Sequence, residues 1–77
     1  MTTRLPSLKA REVMRALGRA GFRQVRSKGS HRIFQHDDDP RRRTIVADHG
    51  GRDVPPGTLR AIIKQAGLTV EEFISLL

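Results

Sequence analysis

The sequence predicts an α+β domain in the order helix, three strands, helix, with a short helix at its end. Three observations support this order. Apolar residues recur at helical spacing near the start, three short β-prone runs follow between turn residues, and helical spacing returns from about residue 57. With 77 residues, we predict one domain over residues 1–77, in which one antiparallel sheet is covered by helices on one face and open on the other.

The first helix is predicted over residues 10–20, and Gly21 is well placed to end it. Its apolar face consists of Ala10, Val13, Met14 and Leu17. Cationic residues recur at i, i+4 and i+8 on roughly the opposite side, at Arg11, Arg15 and Arg19. We interpret this arginine stripe as a phosphate-binding surface, although a charged helix face is also what solvent exposure alone requires.

Three β-prone runs follow: "FRQVRSK" at 22–28, "SHRIFQH" at 30–36 and "RRRTIVAD" at 41–48. Gly29 separates the first two, and the aspartates and proline of "HDDDPR" favour a turn before the third. In strand register His31 shares a face with Ile33 and Gln35, whereas Arg32 shares the other with Phe34. The pattern leaves open which of these faces is buried.

Two helices complete the predicted order. Pro55 and Pro56 stand near the entry to a helix over residues 57–66, which Gly67 ends. Its apolar face is Leu59, Ile62, Ile63 and Ala66. Thr69 and Glu72 then have the spacing of a capping box. The inward-facing residues of the last helix are predicted to be Val70, Phe73, Ile74 and Leu77.

The formal net charge of +7 is unevenly distributed. Residues 1–36 carry nine Lys or Arg against the single acid Glu12, a net +8, whereas residues 37–77 carry six against seven, a net −1. Such a basic surface favours nucleic acid, an anionic membrane or an acidic protein as partner, although solubility alone also accounts for it. The N-terminal "MTTRLPSLKAREV" carries charges, no apolar run suits a bilayer, and cysteine is absent, so we expect a soluble, cytoplasmic chain without membrane contact.

The stretch "RSKGSHRIFQH" places a histidine after two small residues and among cations. Gly29 and Ser30 let a phosphate backbone approach the main chain, and Arg26, Lys28 and Arg32 attract it. A histidine has an ordinary pKa near ~6.5, and we expect the cations Lys28 and Arg32 to disfavour the charged ring. A neutral His31 would serve as a general base toward a ribose 2′-OH without a metal. The alternative is a structural or surface histidine.

The blocks "LGRAGFRQVRSKGSHRIFQH" and "HGGRDVPPGTLRAIIKQAGL" together resemble the HicA (YcfA-like) toxins of bacterial type II toxin–antitoxin systems, over roughly residues 5–73. The family usually has a proline shortly before its second histidine, where this chain has Ala47. The resemblance implies a double-stranded-RNA-binding-domain-like fold, an mRNA-cleaving activity with His31 as catalytic residue, and a HicB antitoxin as partner. It leaves His49 a possible acid or phosphate ligand.

Other kinds of site fit the sequence less well. The three histidines and the aspartates of 37–39 and Asp48 lack metal-ligand spacing, and the glycines match no nucleotide-binding fingerprint, so we expect neither metal nor cofactor. Only three aromatic residues are present, which is too few for a base-stacking platform. The remaining readings are a metal-independent endoribonuclease, a non-catalytic double-stranded-RNA-binding module, and an adaptor for an acidic protein. The chain alone is expected to be a monomer.

Overall fold

The sheet of the protein has three antiparallel strands in the spatial order β1-β2-β3. The computed structural model describes residues 4–77, so the first three residues of the predicted domain lie outside the described part. The strands are β1 Phe22–Lys28, β2 His31–His36 and β3 Arg43–Ala47. The predicted third strand began at residue 41, but the main-chain N–H of Arg42 donates to the carbonyl of Asp39 at 2.9 Å, so the turn extends to Arg42.

The helices are α1 Ala10–Arg19, α2 Pro56–Gln65 and α3 Val70–Ser75. Their buried residues form one cluster with the side chains on one face of the sheet: Leu8, Ala10, Val13, Ala16, Leu17, Phe22, Phe34, Val46, Val54, Leu59, Ile62, Ile63, Ala66 and Phe73. The predicted α-β-β-β-α order with a short final helix, and the coverage of a single sheet face, are therefore confirmed. Of the four inward residues predicted for the last helix, only Phe73 is buried. Val70 and Ile74 are partly exposed, and Leu77 is 44% exposed because α3 ends at Ser75.

The alternation along β2 and β3 identifies the covered face. Phe34, Thr44 and Val46 are buried toward the helices, and the Thr44 hydroxyl donates to Oε1 of Gln65 on α2 at 2.8 Å. Ile45, between the two buried residues of β3, is 49% exposed. His31 stands in register with Ala47, two residues from Ile45, and therefore lies on the open face.

The ends of the helices are satisfied by local contacts. The main-chain N–H of Thr69 donates to Oε1 of Glu72 at 2.8 Å, and the Thr69 hydroxyl accepts from the N–H of Glu72 at 3.0 Å, which confirms the predicted capping box. The hydrogen bond from the main-chain N–H of Thr69 lowers the pKa of Glu72, because it favours the ionised carboxylate. At the C-terminus of α2, Nε of Arg42 donates to the carbonyl of Ala66 at 2.8 Å. In residues 4–77 we find no helix with the length and apolar character needed to cross a membrane.

Candidate functional site

A two-residue turn connects β1 to β2 and sets the position of the motif histidine. Gly29 has φ +59°, and Ser30 follows it without a positive φ. Glycine at the first central position is the requirement of a type II′ turn, whose twist matches that of the flanking strands. A Cβ built on Gly29 would have no atom within 4 Å. Glycine is therefore required here by its positive φ and not by lack of room, and the space above the turn is open.

His31 is the first residue of β2, and its side chain is exposed on the open face. It stands opposite Lys28 of β1 and Ala47 of β3. The N–H of Asp48 donates to the carbonyl of Ser30 at 2.7 Å, which makes His31 and Ala47 a pair without mutual hydrogen bonds, the closer of the two pair types. Ala47 is small, so the ring keeps an uncovered side. Among the side-chain hydrogen bonds of residues 4–77, none involves the His31 ring.

His36, at the other end of β2, has a different environment. Its ring packs edge-on against Phe22 with centroids 5.1 Å apart, and its Nδ1 accepts from the main-chain N–H of Asp38 at 3.1 Å. A Cβ on Gly21 would lie 3.0 Å from its Nε2. His36 ends the strand, is half-buried, and has a ring contact and a ring hydrogen bond that hold it in place.

The side chain of Arg32 lies on the face opposite to His31, since Arg32 pairs with the buried Val46. Its Nη1 donates to the carbonyl of Gly29 at 2.8 Å, and its Nη2 lies 3.9 Å from Oδ2 of Asp48. The other carboxylate oxygen of Asp48 accepts from the N–H of Gly50 at 3.2 Å. Arg32 was predicted as an RNA ligand, yet its described contacts connect the turn before His31 to the loop after β3.

His49 lies in that loop and is exposed. It lines a shallow pocket of about 150 Å³ between the end of β3 and the start of α2, together with Ala47, Arg52, Asp53, Val54, Pro55 and Thr58. Ala47 belongs to this pocket and also stands opposite His31. The two histidines are thus on neighbouring parts of the same end of the sheet.

An irregularity in β1 brings further cations to the open face. The register shifts between Gln24 and Arg26, so that Val25 is an extra residue. Beyond this bulge Arg26 stands opposite Ile33, and Lys28 opposite His31. Arg43 of β3 stands opposite Gln35 at the far end of the same face. Sequence reasoning selected Arg26 and Lys28 and missed Arg43. The signal that could have found Arg43 is its two-residue spacing from Ile45, which places both side chains on the same face of β3.

The predicted α1 stripe does not join this group. The buried residues of α1 face the sheet from its covered side, so the exposed Arg11 and Arg15 point away from it and the sheet lies between them and His31. The third member, Arg19, donates from Nη1 to the carbonyl of Leu76 at 2.7 Å. The candidate RNA ligands are therefore divided between two sides of the domain.

The described residues, 4–77, contain no group of three or more His, Cys, Asp or Glu side chains arranged to hold a metal ion. Two of the three aspartates that follow β2 have cationic partners: Asp37 lies 3.0 Å from Nε of Arg23, and Asp39 lies 3.1 Å from Nε of Arg41. The hydrogen bond from Arg41 lowers the pKa of Asp39 and raises that of Arg41.

The α-β-β-β-α order, the three-stranded antiparallel sheet and the helices on one face define a basic domain of the double-stranded-RNA-binding-domain-like class. A sequence model described as the HicA toxin of bacterial toxin–antitoxin systems matches residues 10–68. The chain belongs to this family, which gives it the role of a toxin and implies a cognate antitoxin as partner. No curated protein sequence matches the chain.

Proposed function

We propose that this toxin is an endoribonuclease that cleaves mRNA without a metal, with His31 as the general base. The observation that carries the proposal is the ring of His31 at the start of β2, which is exposed, stands opposite Lys28 and makes no side-chain hydrogen bond within residues 4–77. A side chain that holds no structural hydrogen bond is available to a substrate. Its position beside a sharp turn with open space above it allows a phosphate backbone to come close.

The proposed reaction uses the nucleophile that RNA carries. His31 removes the proton of a ribose 2′-OH, and the oxygen attacks the adjacent phosphorus while the bond to the 5′-oxygen breaks. The leaving oxygen takes a proton, for which His49 is the candidate donor, its other possible role being a phosphate ligand. The products are a 2′,3′-cyclic phosphate and a 5′-hydroxyl. A positioned base contributes about 10²- to 10⁴-fold to the rate, and orientation adds to it.

The phosphate is held from the β1 side and from the turn. Lys28 stands opposite His31, and side chains so paired have Cβ atoms about 4.5–5.5 Å apart. The Ser30 hydroxyl and the open main chain of Gly29 provide further approach for phosphate oxygens, and Arg26 lies two residues along the strand. A cation at the reacting phosphate stabilises the charge that develops there in the transition state.

The partner that controls the toxin is proposed to be a HicB-type antitoxin. A protein that covers the end of the sheet at His31 would exclude RNA by direct competition. The main alternative for the chain is a non-catalytic double-stranded-RNA-binding module, which is supported by the fold class and the basic charge but gives no role to the exposed His31.

The test is the substitution His31→Ala. We expect RNA cleavage to be lost, whereas RNA binding, antitoxin binding and the free energy of unfolding stay within about 0.5 kcal/mol of the parent, as for an exposed side chain without partners. The matched control is His36→Ala, which removes the packing on Phe22 and the bond from Asp38. That variant should lose about 1–3 kcal/mol of stability and keep its cleavage activity when folded. Thermal unfolding and gel assays with end-labelled RNA give both readouts.

The same assay tests the chemistry. Cleavage should persist in EDTA and leave a cyclic phosphate, and RNA methylated at every 2′-oxygen should resist. Each contrary result has a distinct meaning. An active His31→Ala chain moves the catalytic role toward His49, and an unfolded one gives His31 a structural role. Activity that EDTA removes and magnesium restores would establish a metal-dependent mechanism.

A further inference from the structure

We propose that the open face of the sheet is a track for single-stranded RNA, along which Lys28, Arg26 and Arg43 contact phosphates while Ile33 and Ile45 contact sugars and bases. This inference rests on the proposed function and specifies its substrate class and the path of the substrate. The juxtaposition that carries it is a set of three cations that crosses the face diagonally from His31, beside exposed aliphatic side chains.

The cations lie on both outer strands of the face. Lys28 stands beside His31 on β1, Arg26 follows two residues along the same strand beside Ile33, and Arg43 stands beside Gln35 on β3, two residues further along. A two-residue step along a strand is about 6.6 Å and the outer strands are about 10 Å apart, so the main-chain positions of Lys28 and Arg26 are about 7 Å apart and those of Arg26 and Arg43 about 12 Å. The first separation is comparable to that of successive phosphates in an extended strand of nucleic acid and the second to that of alternate phosphates, so a strand that crosses the face diagonally can contact all three cations.

These three cations are available to a ligand. Within residues 4–77, no salt bridge involves Arg26, Lys28 or Arg43, and all three are exposed. The fourth cation of the face, Arg23, is paired with Asp37, and we leave it out of the track. The strand residues of the open face include no acid: Arg23, Arg26, Lys28, His31, Ile33, Gln35, Arg43, Ile45 and Ala47. The face is thus complementary to a polyanion.

The middle of the track is aliphatic. Ile45 is 49% exposed, Val25 at the bulge is 39% exposed, and Ile33 lies between them, partly buried. The described face carries no Phe, Tyr or Trp ring on which bases could stack, so contacts to bases are mainly aliphatic and depend little on their identity. A toxin with this track would accept many RNA sequences.

Two considerations favour single-stranded RNA over a duplex as the occupant of the open face. Attack by the 2′-oxygen requires it to line up opposite the leaving 5′-oxygen, and A-form pairing holds a ribose away from that alignment. Three strands also present a face only about 10 Å across between the outer strands, which suits one backbone better than two. An acidic protein is the other partner such a face attracts, but the aliphatic part is confined to Val25, Ile33 and Ile45, which is a small apolar area for a protein interface.

The test measures binding separately from cleavage, in a chain that carries His31→Ala. The double variant Arg26→Glu/Arg43→Glu changes the track, and Arg60→Glu/Lys64→Glu on the exposed side of α2 is the control with equal change of charge. The probes are an unstructured RNA of about a dozen nucleotides and a hairpin duplex of the same composition. We expect the track variant to bind the single strand at least about 10-fold more weakly and the control variant less than about 3-fold.

The slope of log K against log salt is negative, and in the track variant it should become about 1.4 less steep, because two phosphate contacts are lost. Amide shifts on RNA titration provide a readout without charge reversal, and they should cluster in β1, β2 and β3 instead of α1 and α2. The inference is overturned by equal loss in the control variant, by tighter binding of the hairpin, or by shifts confined to the helices. A parent chain that binds along the sheet without cutting would instead refute only the nuclease proposal.

Discussion

At the scale of single residues, Arg32 has contacts that distinguish two roles. As a phosphate ligand it would contribute to substrate affinity, but its guanidinium lies within 2.8 Å of the Gly29 carbonyl and 3.9 Å of Asp48, on the side of the sheet away from His31. These contacts hold the turn that precedes one histidine against the loop that carries the other. We therefore assign Arg32 a positioning role for the proposed reaction.

Replacing Arg32 by Ala is expected to lower kcat by about 10- to 100-fold with little change in KM, because a displaced catalytic group loses alignment more than affinity. The loss of stability should stay below about 1 kcal/mol, as the ion pair is partly exposed. Arg32→Lys should recover little, since an ammonium group cannot reach both partners. Single-turnover kinetics over a range of RNA concentrations separate kcat from KM. A rise in KM alone would restore the predicted role as an RNA ligand.

Residue chemistry explains what the sequence revealed about this site. The small pair Gly29–Ser30 before a histidine predicted a tight turn and made His31 a candidate, and the resemblance to the HicA family was needed to select it as the catalytic residue. The partner of Arg32 was not predictable, since the choice of buried face depends on how Phe34 and Val46 meet the helices. Neighbouring residues in sequence thus acquired opposite positions in space.

At the scale of elements, the helices were predictable and β1 was not. Apolar spacing and the capping pair Thr69 and Glu72 define α1, α2 and α3 within a residue or so. Strict alternation from the buried Phe22 would place Arg26 and Lys28 on the covered side. The extra residue Val25 reverses this parity and brings both cations to the face of His31. A bulge leaves no reliable mark in composition, so the cluster appears only in the structure.

The arginines of α1 give the prediction at this scale. Replacing Arg11, Arg15 and Arg19 by Ala is expected to weaken RNA binding and its salt dependence without changing the fold, since a long message that leaves the track can reach the helix around the edge of the sheet. The positions of cleavage should not change, because these side chains lie away from His31. Arg19→Ala alone serves as a control for the lost bond to Leu76. Unaltered affinity in titrations would make the stripe an ordinary solvated face.

At the scale of the whole molecule, the charge distribution governs encounter with RNA. The net +8 of residues 1–36 is concentrated on α1, β1 and the start of β2, whereas the acidic residues lie mainly in the later loops and α3. Long-range attraction of RNA therefore acts more strongly on the part of the domain that residues 1–36 form than on the part that residues 37–77 form. The hydrophobic cluster of the described residues joins α1 to the covered face of the sheet, so it supports both the helix that carries the arginine stripe and the strands that carry the track.

RNA affinity of the His31→Ala chain is expected to fall with added salt, because each contacted phosphate releases counterions on binding. Three contacts on the track correspond to a slope of about −2, which is roughly a 20-fold loss between about 50 and 200 mM salt. Filter binding or fluorescence anisotropy at several salt concentrations measures this slope. Affinity that does not respond to salt would contradict the electrostatic account of binding.

The bulge at Val25 also bears on how copies of the protein behave toward one another. β1 is an outer strand of the sheet, and its unpaired main-chain groups would accept a strand from a second copy. A bulge interrupts the regular ladder and increases local twist, and the cations of β1 add repulsion between like edges. The irregularity that places Arg26 and Lys28 beside His31 therefore also discourages edge-to-edge aggregation through β1, and we expect a chain released from its antitoxin to stay dispersed.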